Sequence, residues 1–253
     1  MILDDFRLDG KVAIVTGSST GLGQGVCVGF AEAGADIVGV DYVDSTETKQ
    51  LVEKLGRRFL TIKENLLTIE PIERIVAKAV ETFGHVDILM NNAGIIRRVD
   101  AIDYSEKDWD EVMAINSKTV FFFSQAVARQ FIKQGTGGKI ISIASMLSFQ
   151  GGIRVPSYTS SKSAVMGMTR AMANEWAKYG INVNAIAPGY MATNNTSALR
   201  ADGARSAEIL GRIPSGRWGN PEDIQGAAVF LASKASDYVQ GYTIAVDGGW
   251  LAR

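Results

Sequence analysis

Short apolar runs alternate along this chain with segments whose apolar residues recur at helical spacing. The first run, residues 11–16, lacks polar alternation, as in a parallel strand that is buried on both faces. A glycine-rich turn follows, and apolar residues at Val26 and Phe30 then predict a helix that ends at Gly34. Residues 35–41 form the second apolar run. A strand, turn, helix and strand within about 30 residues predict a βαβ unit.

The same alternation continues to the end of the chain. Helices are expected at residues 46–56, 70–83, 106–134, 156–179 and 221–232, and strands at residues 58–62, 86–90, 139–144, 181–187 and 242–246. Because strands joined by helices pair in parallel, the chain predicts an α/β fold with a Rossmann-like doubly wound parallel sheet, a three-layer αβα sandwich. No linker or repeat divides residues 1–253, so we expect a single domain, in which residues 190–216 break the rhythm and form a candidate substrate lid.

Composition excludes several classes of protein. A chain that is 46% hydrophobic and 21% charged is ordinary for a globular protein with a sizeable core. A net charge of −1 argues against a nucleic-acid partner or an anionic membrane surface. Neither a signal-peptide pattern nor an apolar run of membrane-spanning length is present, so we expect the cytoplasm and no membrane partner. Cys27 is expected to fill core space, and His85 to lie at the surface, with no metal site.

The glycine-rich turn has the features of a phosphate-binding loop. Its pattern is G-x-x-x-G-x-G, in which the glycines allow close approach of a pyrophosphate and the following helix presents free N–H groups. We therefore expect a dinucleotide to contact the loop residues Gly17, Ser19, Thr20, Gly21 and Leu22.

Asp41, at the end of the second expected strand, predicts which dinucleotide binds. A carboxylate there accepts hydrogen bonds from both hydroxyls of an adenosine ribose and repels a 2′-phosphate. No basic residue stands in the turn or directly after Asp41, so the sequence predicts NAD rather than NADP.

Tyr158 and Lys162 are candidates for acid–base chemistry. Residues four apart share one helix face, so the lysine ammonium can lie beside the phenol and lower its pKa from about 10. Ser145 ends an expected strand upstream and would hydrogen-bond the substrate oxygen whose proton Tyr158 takes or gives. The alternative is a solvated pair on a helix surface.

For Asn116, within an apolar helical stretch, the alternatives are a buried amide that satisfies backbone groups and a kinked helix that holds a water linked to Lys162.

Taken together, the motifs resemble the short-chain dehydrogenase/reductase family over essentially the whole chain. The matching motifs are residues 16–23, 91–94, 188–189 and 246–249, with Asn116, Ser145, Tyr158 and Lys162. The resemblance implies that Tyr158 is the general base in oxidation and the acid in reduction, that Lys162 lowers its pKa and binds the nicotinamide ribose, and that Asn116 completes a proton relay. It also implies further cofactor contacts, made by Asn65, Leu66, Asn92, Ala93, Gly94, Pro188, Gly189, Met191 and Thr193. Asn65 departs from the family pattern, where many members have an aspartate.

Several segments resemble family members that oxidise deoxy sugar acids in pectin and uronate breakdown. This implies a small-molecule sugar-acid substrate whose secondary alcohol is oxidised by NAD, and a homotetramer. An arginine suits the carboxylate because its planar fork binds both oxygens, and Arg97 or Arg98 and Arg154 are the candidates. Each arginine is alternatively a solvated loop charge. Candidate groups for the hydroxyls are Gln150, Asn194 and Asn195, beside Ser145 and Tyr158 at the reacting carbon.

Three other interpretations remain open at the level of sequence. Two are within the family, a gluconate 5-dehydrogenase and a 3-oxoacyl reductase, and the second is disfavoured by Asp41 and the arginines. The third is a non-catalytic NAD-binding regulator, which would be expected to lose part of the Asn-Ser-Tyr-Lys set that is intact here. Whether Arg253 reaches a neighbouring active site is also open.

Overall fold

The computed structural model describes residues 1–253 as one sheet of seven strands with helices on both faces. The strands are β1 (Val12–Thr16), β2 (Asp36–Asp41), β3 (Phe59–Lys63), β4 (Ile88–Asn91), β5 (Gly138–Ile143), β6 (Ile181–Pro188) and β7 (Thr243–Val246). The α-helices are α1 (Gly21–Glu32), α2 (Thr46–Lys54), α3 (Ile72–Phe83), α4 (Glu106–Met113), α5 (Thr119–Gln134), α6 (Pro156–Trp176), α7 (Ser197–Ala201), α8 (Gly203–Arg212) and α9 (Glu222–Ala232).

Every strand pairs in parallel, in the order β3-β2-β1-β4-β5-β6-β7. The predicted doubly wound sheet is therefore confirmed. The order reverses between β1 and β4, and in such sheets ligands bind at the carboxyl ends of the strands around that reversal.

Two apolar clusters fill the two sides of the sheet and confirm the three-layer arrangement. One contains Phe30 of α1 and Ile224 of α9, and the other contains Ile75 of α3, Phe123 of α5 and Met172 of α6. Strands that contact helices on both faces have no exposed side, which explains why β1 is buried throughout and apolar up to Thr16, its last residue. The core position expected for the cysteine is also observed, since it is fully buried and burial raises the pKa of its thiol.

The expected long helix over residues 106–134 is interrupted. Residues Ala114–Lys118 form a π-helical turn between α4 and α5, and Asn116 lies within it, as in the alternative that placed a kink at this residue. The candidate lid, residues 190–216, contains α7 and α8 instead of a further strand-helix unit. No helix has the length and apolar character needed to cross a membrane.

Candidate active site

A cleft of about 410 Å³ opens at the carboxyl ends of the strands, and most of the predicted site residues line it. Its predicted members are Gly17, Ser19, Thr20, Gly21, Leu22, Asp41, Asn65, Leu66, Asn92, Ala93, Gly94, Ser145, Tyr158, Lys162, Pro188, Gly189, Met191, Thr193 and Asn194. Residues from distant parts of the chain meet here because parallel strands end at one edge of the sheet.

The glycine-rich turn is shaped by close backbone packing. Gly17 has φ +67°, and a Cβ on it would lie 2.8 Å from Asn92 Nδ2. A Cβ on Gly23 would lie only 1.9 Å from the Gly17 carbonyl oxygen, so no other residue fits there. The turn ends at the N-terminus of α1, whose first N–H groups have no partner within the helix and provide a site for phosphate. Thr193 lies opposite, 3.5 Å from where a Gly21 Cβ would be.

Asp41 is held rigidly at the end of β2. Its Oδ2 accepts a hydrogen bond from Ser19 N at 2.9 Å, and its Oδ1 accepts one from Tyr42 N at 2.7 Å. The residue is only 6% exposed, yet it lines the cleft. A carboxylate offers about four acceptor positions, so acceptor capacity remains for ligand hydroxyls.

The segment after β4 is bonded to the end of β1. The Thr16 hydroxyl oxygen accepts hydrogen bonds from Asn92 N and Ala93 N, both at 3.0 Å. The Asn92 amide donates to the carbonyls of Thr16 and Gly17 at 2.9 and 3.1 Å. These bonds fix one wall of the cleft against the glycine turn, and they give Asn92 a defined structural role.

Ser145, Tyr158 and Lys162 converge on the floor of the cleft. Ser145 follows β5 and is 6% exposed, Lys162 is 3% exposed, and Tyr158 is half-buried. The Lys162 ammonium donates a hydrogen bond to the Ile143 carbonyl at 2.6 Å and lies 5.7 Å from the centre of the Tyr158 ring. The three side chains therefore form one cluster, which excludes the solvated helix pair as a description of Tyr158 and Lys162.

The electrostatics of this cluster differ from the expectation. Burial raises the pKa of Tyr158 above its usual value, opposed by a hydrogen bond with Ser145 and by the positive charge of Arg98. Burial also lowers the pKa of Lys162 to about 8. The expected lowering of the Tyr158 pKa by Lys162 is not observed, because the ammonium is directed at the Ile143 carbonyl and the burial of the phenol outweighs the opposing contacts.

Asn116 lies beneath the cleft and does not line it. Its Oδ1 accepts a hydrogen bond from Ile95 N at 2.9 Å, and its Nδ2 donates to the Ile95 carbonyl at 2.9 Å and to Ser161 Oγ at 3.2 Å. Both amide hydrogens are thus used within the protein, so the side chain satisfies backbone groups in a kinked helix. A relay through Asn116 stays a prediction.

The candidate arginines for the substrate carboxylate differ in their contacts. Arg97 points to α4, where its guanidinium pairs with Glu111 at 3.0 Å and Asp108 at 3.5 Å. Arg154 is exposed, pairs with Asp100 at 3.1 Å, and is the only non-glycine residue with positive φ. Neither lines the cleft, so their assignment to the substrate carboxylate stays a prediction.

Arg98 also lies outside the cleft lining, but it differs from these two because it has no carboxylate partner. Its NH2 donates to the Asn195 carbonyl at 3.0 Å, and its charge acts on Tyr158. Gln150 lies outside the cleft and accepts a hydrogen bond from Arg212 at 3.4 Å. Asn65 lines the cleft, but its Oδ1 accepts a hydrogen bond from Leu67 N at 3.0 Å.

Some residues of the cleft were not among the predicted contacts. They flank predicted ones, and they are Val40, Tyr42, Glu64, Ile95, Ile115, Ile143, Ala144 and Thr196. Most of them could have been predicted from their position next to a strand end, because a ligand at that edge of the sheet contacts several successive residues. Asn195, which was a candidate for the substrate hydroxyls, also lines the cleft.

The fold, the glycine turn and the Ser-Tyr-Lys cluster define a nicotinamide-dependent dehydrogenase, and comparison with known proteins agrees. The chain belongs to the short-chain dehydrogenase/reductase family, in which enzymes act on secondary alcohols, and a family model described as "Enoyl-(Acyl carrier protein) reductase" matches residues 17–251. The chain is 71% identical to the 2-dehydro-3-deoxy-D-gluconate 5-dehydrogenase of Dickeya dadantii and 69% identical to that of Escherichia coli, in both cases over 100% of each chain.

A solved structure from Agrobacterium tumefaciens is similar as well. It is 53% identical, has a TM-score of 0.91, and covers 98% of this chain and 99% of its own. That protein is described as an inferred 2-deoxy-D-gluconate 3-dehydrogenase with bound NADP.

Proposed function

We propose that this enzyme interconverts 2-dehydro-3-deoxy-D-gluconate and 3-deoxy-D-glycero-2,5-hexodiulosonate with NAD, in the cytoplasmic breakdown of pectin-derived uronates. It would also oxidise 2-deoxy-D-gluconate at C3. The observation that carries the proposal is the Ser145, Tyr158 and Lys162 cluster with an arginine, Arg98, that has no carboxylate partner. The two full-length relatives at 71% and 69% identity support the choice of substrate.

The chain's own residues supply the proton chemistry. Bound nicotinamide supplies hydride acceptance and donation at the carbon. Ser145 donates a hydrogen bond to the substrate oxygen and holds it beside the Tyr158 phenol. Tyr158 then takes the alcohol proton in oxidation and returns it in reduction. The positive charge of Arg98 favours the ionised form of Tyr158 and so assists the first of these transfers, while Lys162 is proposed to bind the nicotinamide ribose.

NAD is the proposed cofactor because of the negative charge on Asp41. A 2′-phosphate at the end of β2 would lie against this buried carboxylate, whereas ribose hydroxyls would donate hydrogen bonds to it. Lys63, its neighbour on β3, lies outside the cleft and contacts Asp44 at 3.3 Å.

Steady-state kinetics with both cofactors test this assignment, since a relative binds NADP. Wild type should prefer NAD, and Asp41→Ala should reduce that preference. Stronger turnover with NADP in the wild type would reject this assignment.

Arg98 is the proposed partner of the substrate carboxylate. Arg98 is half-buried as a residue, its positive charge lowers the pKa of Tyr158, and its guanidinium keeps donors that are not committed to an acid. An arginine fork binds a carboxylate through two parallel hydrogen bonds, so it would fix the acid end of the substrate. Asn194 and Asn195, at the same side of the cleft, are proposed to contact its hydroxyls.

A substrate panel tests the proposal. NADH formation would be followed with 2-dehydro-3-deoxy-D-gluconate, 2-deoxy-D-gluconate, gluconate and an uncharged sugar alcohol. We expect the two deoxy acids to be turned over with the highest kcat/KM. Turnover of gluconate alone would identify a gluconate dehydrogenase and reject the deoxy-acid substrate. Absence of turnover with all four, while NADH still binds, would reject the substrate class.

A further inference from the structure

The last turn of the chain packs on the lid and on the loop that carries Ser145. Trp250 is 4% exposed and forms a small apolar cluster with Met146, Ile209 and Ile213. The two isoleucines belong to α8 and the residue after it, and Met146 directly follows Ser145. One cluster therefore joins the chain end, the lid and a predicted catalytic loop.

Polar contacts of the C-terminal residues reinforce this junction. Arg253 donates hydrogen bonds to the carbonyls of Gly211 and Arg212, at 3.0 and 2.6 Å. These carbonyls end α8, where helix carbonyls lack partners and carry partial negative charge, so a cation stabilises them. The Arg212 guanidinium lies 4.0 Å above the Trp250 ring and donates to Gln150 at 3.4 Å.

The base of the lid is fastened separately. Met191 and Gly219 form a parallel bridge, in which Ala192 N donates to the Gly219 carbonyl at 2.7 Å and Gly219 N donates to the Tyr190 carbonyl at 2.9 Å. The backbone at residues 190–192 is therefore joined to residue 219, and α8 extends beyond this base. Its C-terminal end depends on the chain end for the contacts described above.

We infer that Trp250 and Arg253 are positioning residues for the active site. They hold the C-terminal end of α8 in place, and through Met146 and Gln150 they fix the loop that carries Ser145. The hydrogen bonds of Arg253 are made to α8 of its own chain. Only the test that measures KM for a sugar acid rests on the proposed function.

Replacement of Arg253 by Ala tests the inference, with Arg129→Ala as the matched control. Arg129 is an exposed arginine on α5 that pairs with Glu73 at 3.6 Å, so the control removes the same charge far from the lid. For R253A we expect KM for the sugar acid to rise about fivefold, the factor that corresponds to about 1 kcal/mol, with the NADH Kd unchanged. R253K keeps a cation at the helix end and should restore part of the effect.

Limited trypsin digestion gives a second measurement that does not depend on substrate identity. Arg200 and Arg205 lie in α7 and α8, so cleavage after them reports how firmly the lid is held. Cleavage of R253A should be faster than that of wild type and of R129A, at equal Tm. If the substrate panel fails, faster cleavage still supports the inference. If R253A matches R129A in cleavage, the inference is wrong, whatever its KM.

Discussion

At the scale of single residues, the arrangement around Tyr158 gives the clearest expectation. The phenol lies in the cleft with Ser145, and phenylalanine keeps its ring. Tyr158→Phe should lower kcat by about 10²- to 10⁴-fold, the usual contribution of a positioned acid or base. NADH binding, measured by fluorescence titration, should be retained. Undiminished turnover would contradict the proposed chemistry.

Arg98 provides a second prediction at this scale. Hydrogen bonds to charged groups contribute about 1.5–3 kcal/mol, so Arg98→Met should raise KM for the sugar acid about 10- to 100-fold. An uncharged analogue should show little change. Because the positive charge of Arg98 lowers the Tyr158 pKa, the rise of oxidation rate with pH should also shift to higher pH.

Arg154→Ala is the natural control for Arg98→Met. Arg154 is exposed and paired with Asp100, so its loss should change KM for the acid much less. A larger rise with Arg154→Ala than with Arg98→Met would place the carboxylate site at Arg154, as the loop position first suggested.

At the scale of elements, the start of α9 depends on one carboxylate. Asp223 accepts hydrogen bonds from both Arg217 NH groups, at 2.7 and 2.8 Å, and from Asn220 N at 2.7 Å. The Arg217 guanidinium lowers the pKa of Asp223 to about 2. A lowered acid pKa gives stability that is present above the ordinary pKa and is lost as pH falls through the folded one. The contribution should therefore disappear between about pH 4 and pH 2.

Asp223→Asn tests this contribution. The Arg217–Asp223 pair is partly solvated. We therefore expect the variant to lose about 0.5–1 kcal/mol of unfolding free energy at pH 7, or roughly 1–4 °C in Tm. The difference between the variant and wild type should narrow below pH 4, where Asp223 of the unfolded wild-type chain begins to take up a proton and the folded state does not. Asp44→Asn, at an exposed carboxylate, is the control. Equal melting temperatures at pH 7 would contradict the assignment.

At the scale of the whole molecule, we propose a homotetramer. β7 is an edge strand with one unpaired side, and two large side chains next to it are exposed, Tyr238 fully and Tyr242 by 62%. Exposed aromatic groups beside an open edge are typical of surfaces that another chain covers.

Light scattering tests the assembly. Wild type should have the mass of four 27.2-kDa chains, and Tyr242→Arg should have a lower mass. Leu55→Arg, at an exposed apolar residue after α2, should leave the mass unchanged. A monomeric wild type at micromolar concentration would refute the proposal.

The sequence alone predicted most of the fold, because the signals are local. Each of these signals depends on neighbouring residues only: the apolar run of β1, the glycines before α1, and the helical spacing in α3 and α6. For Asn116 the sequence left two alternatives open, a kinked helix and an amide that satisfies backbone groups, and the structure combines the kink with bonds to the backbone of Ile95. Asp41 could be placed at the cleft because a carboxylate at the end of a second strand has a defined position in a βαβ unit.

Only the tertiary structure decided which charges are free and how buried groups titrate. Arg97, Arg98 and Arg154 are equivalent in sequence, yet α4 supplies acids to the first and an exposed loop supplies one to the third. The raised pKa of Tyr158 follows from burial, which depends on residues from several elements. The residues of α8 that Arg253 contacts lie 41 and 42 positions before it in the chain. No local pattern carries information over such a separation. Local spacing determined the strands, helices and turns of the fold. Long-range packing determined which charged groups are paired, which titratable groups are buried and which distant residues are in contact.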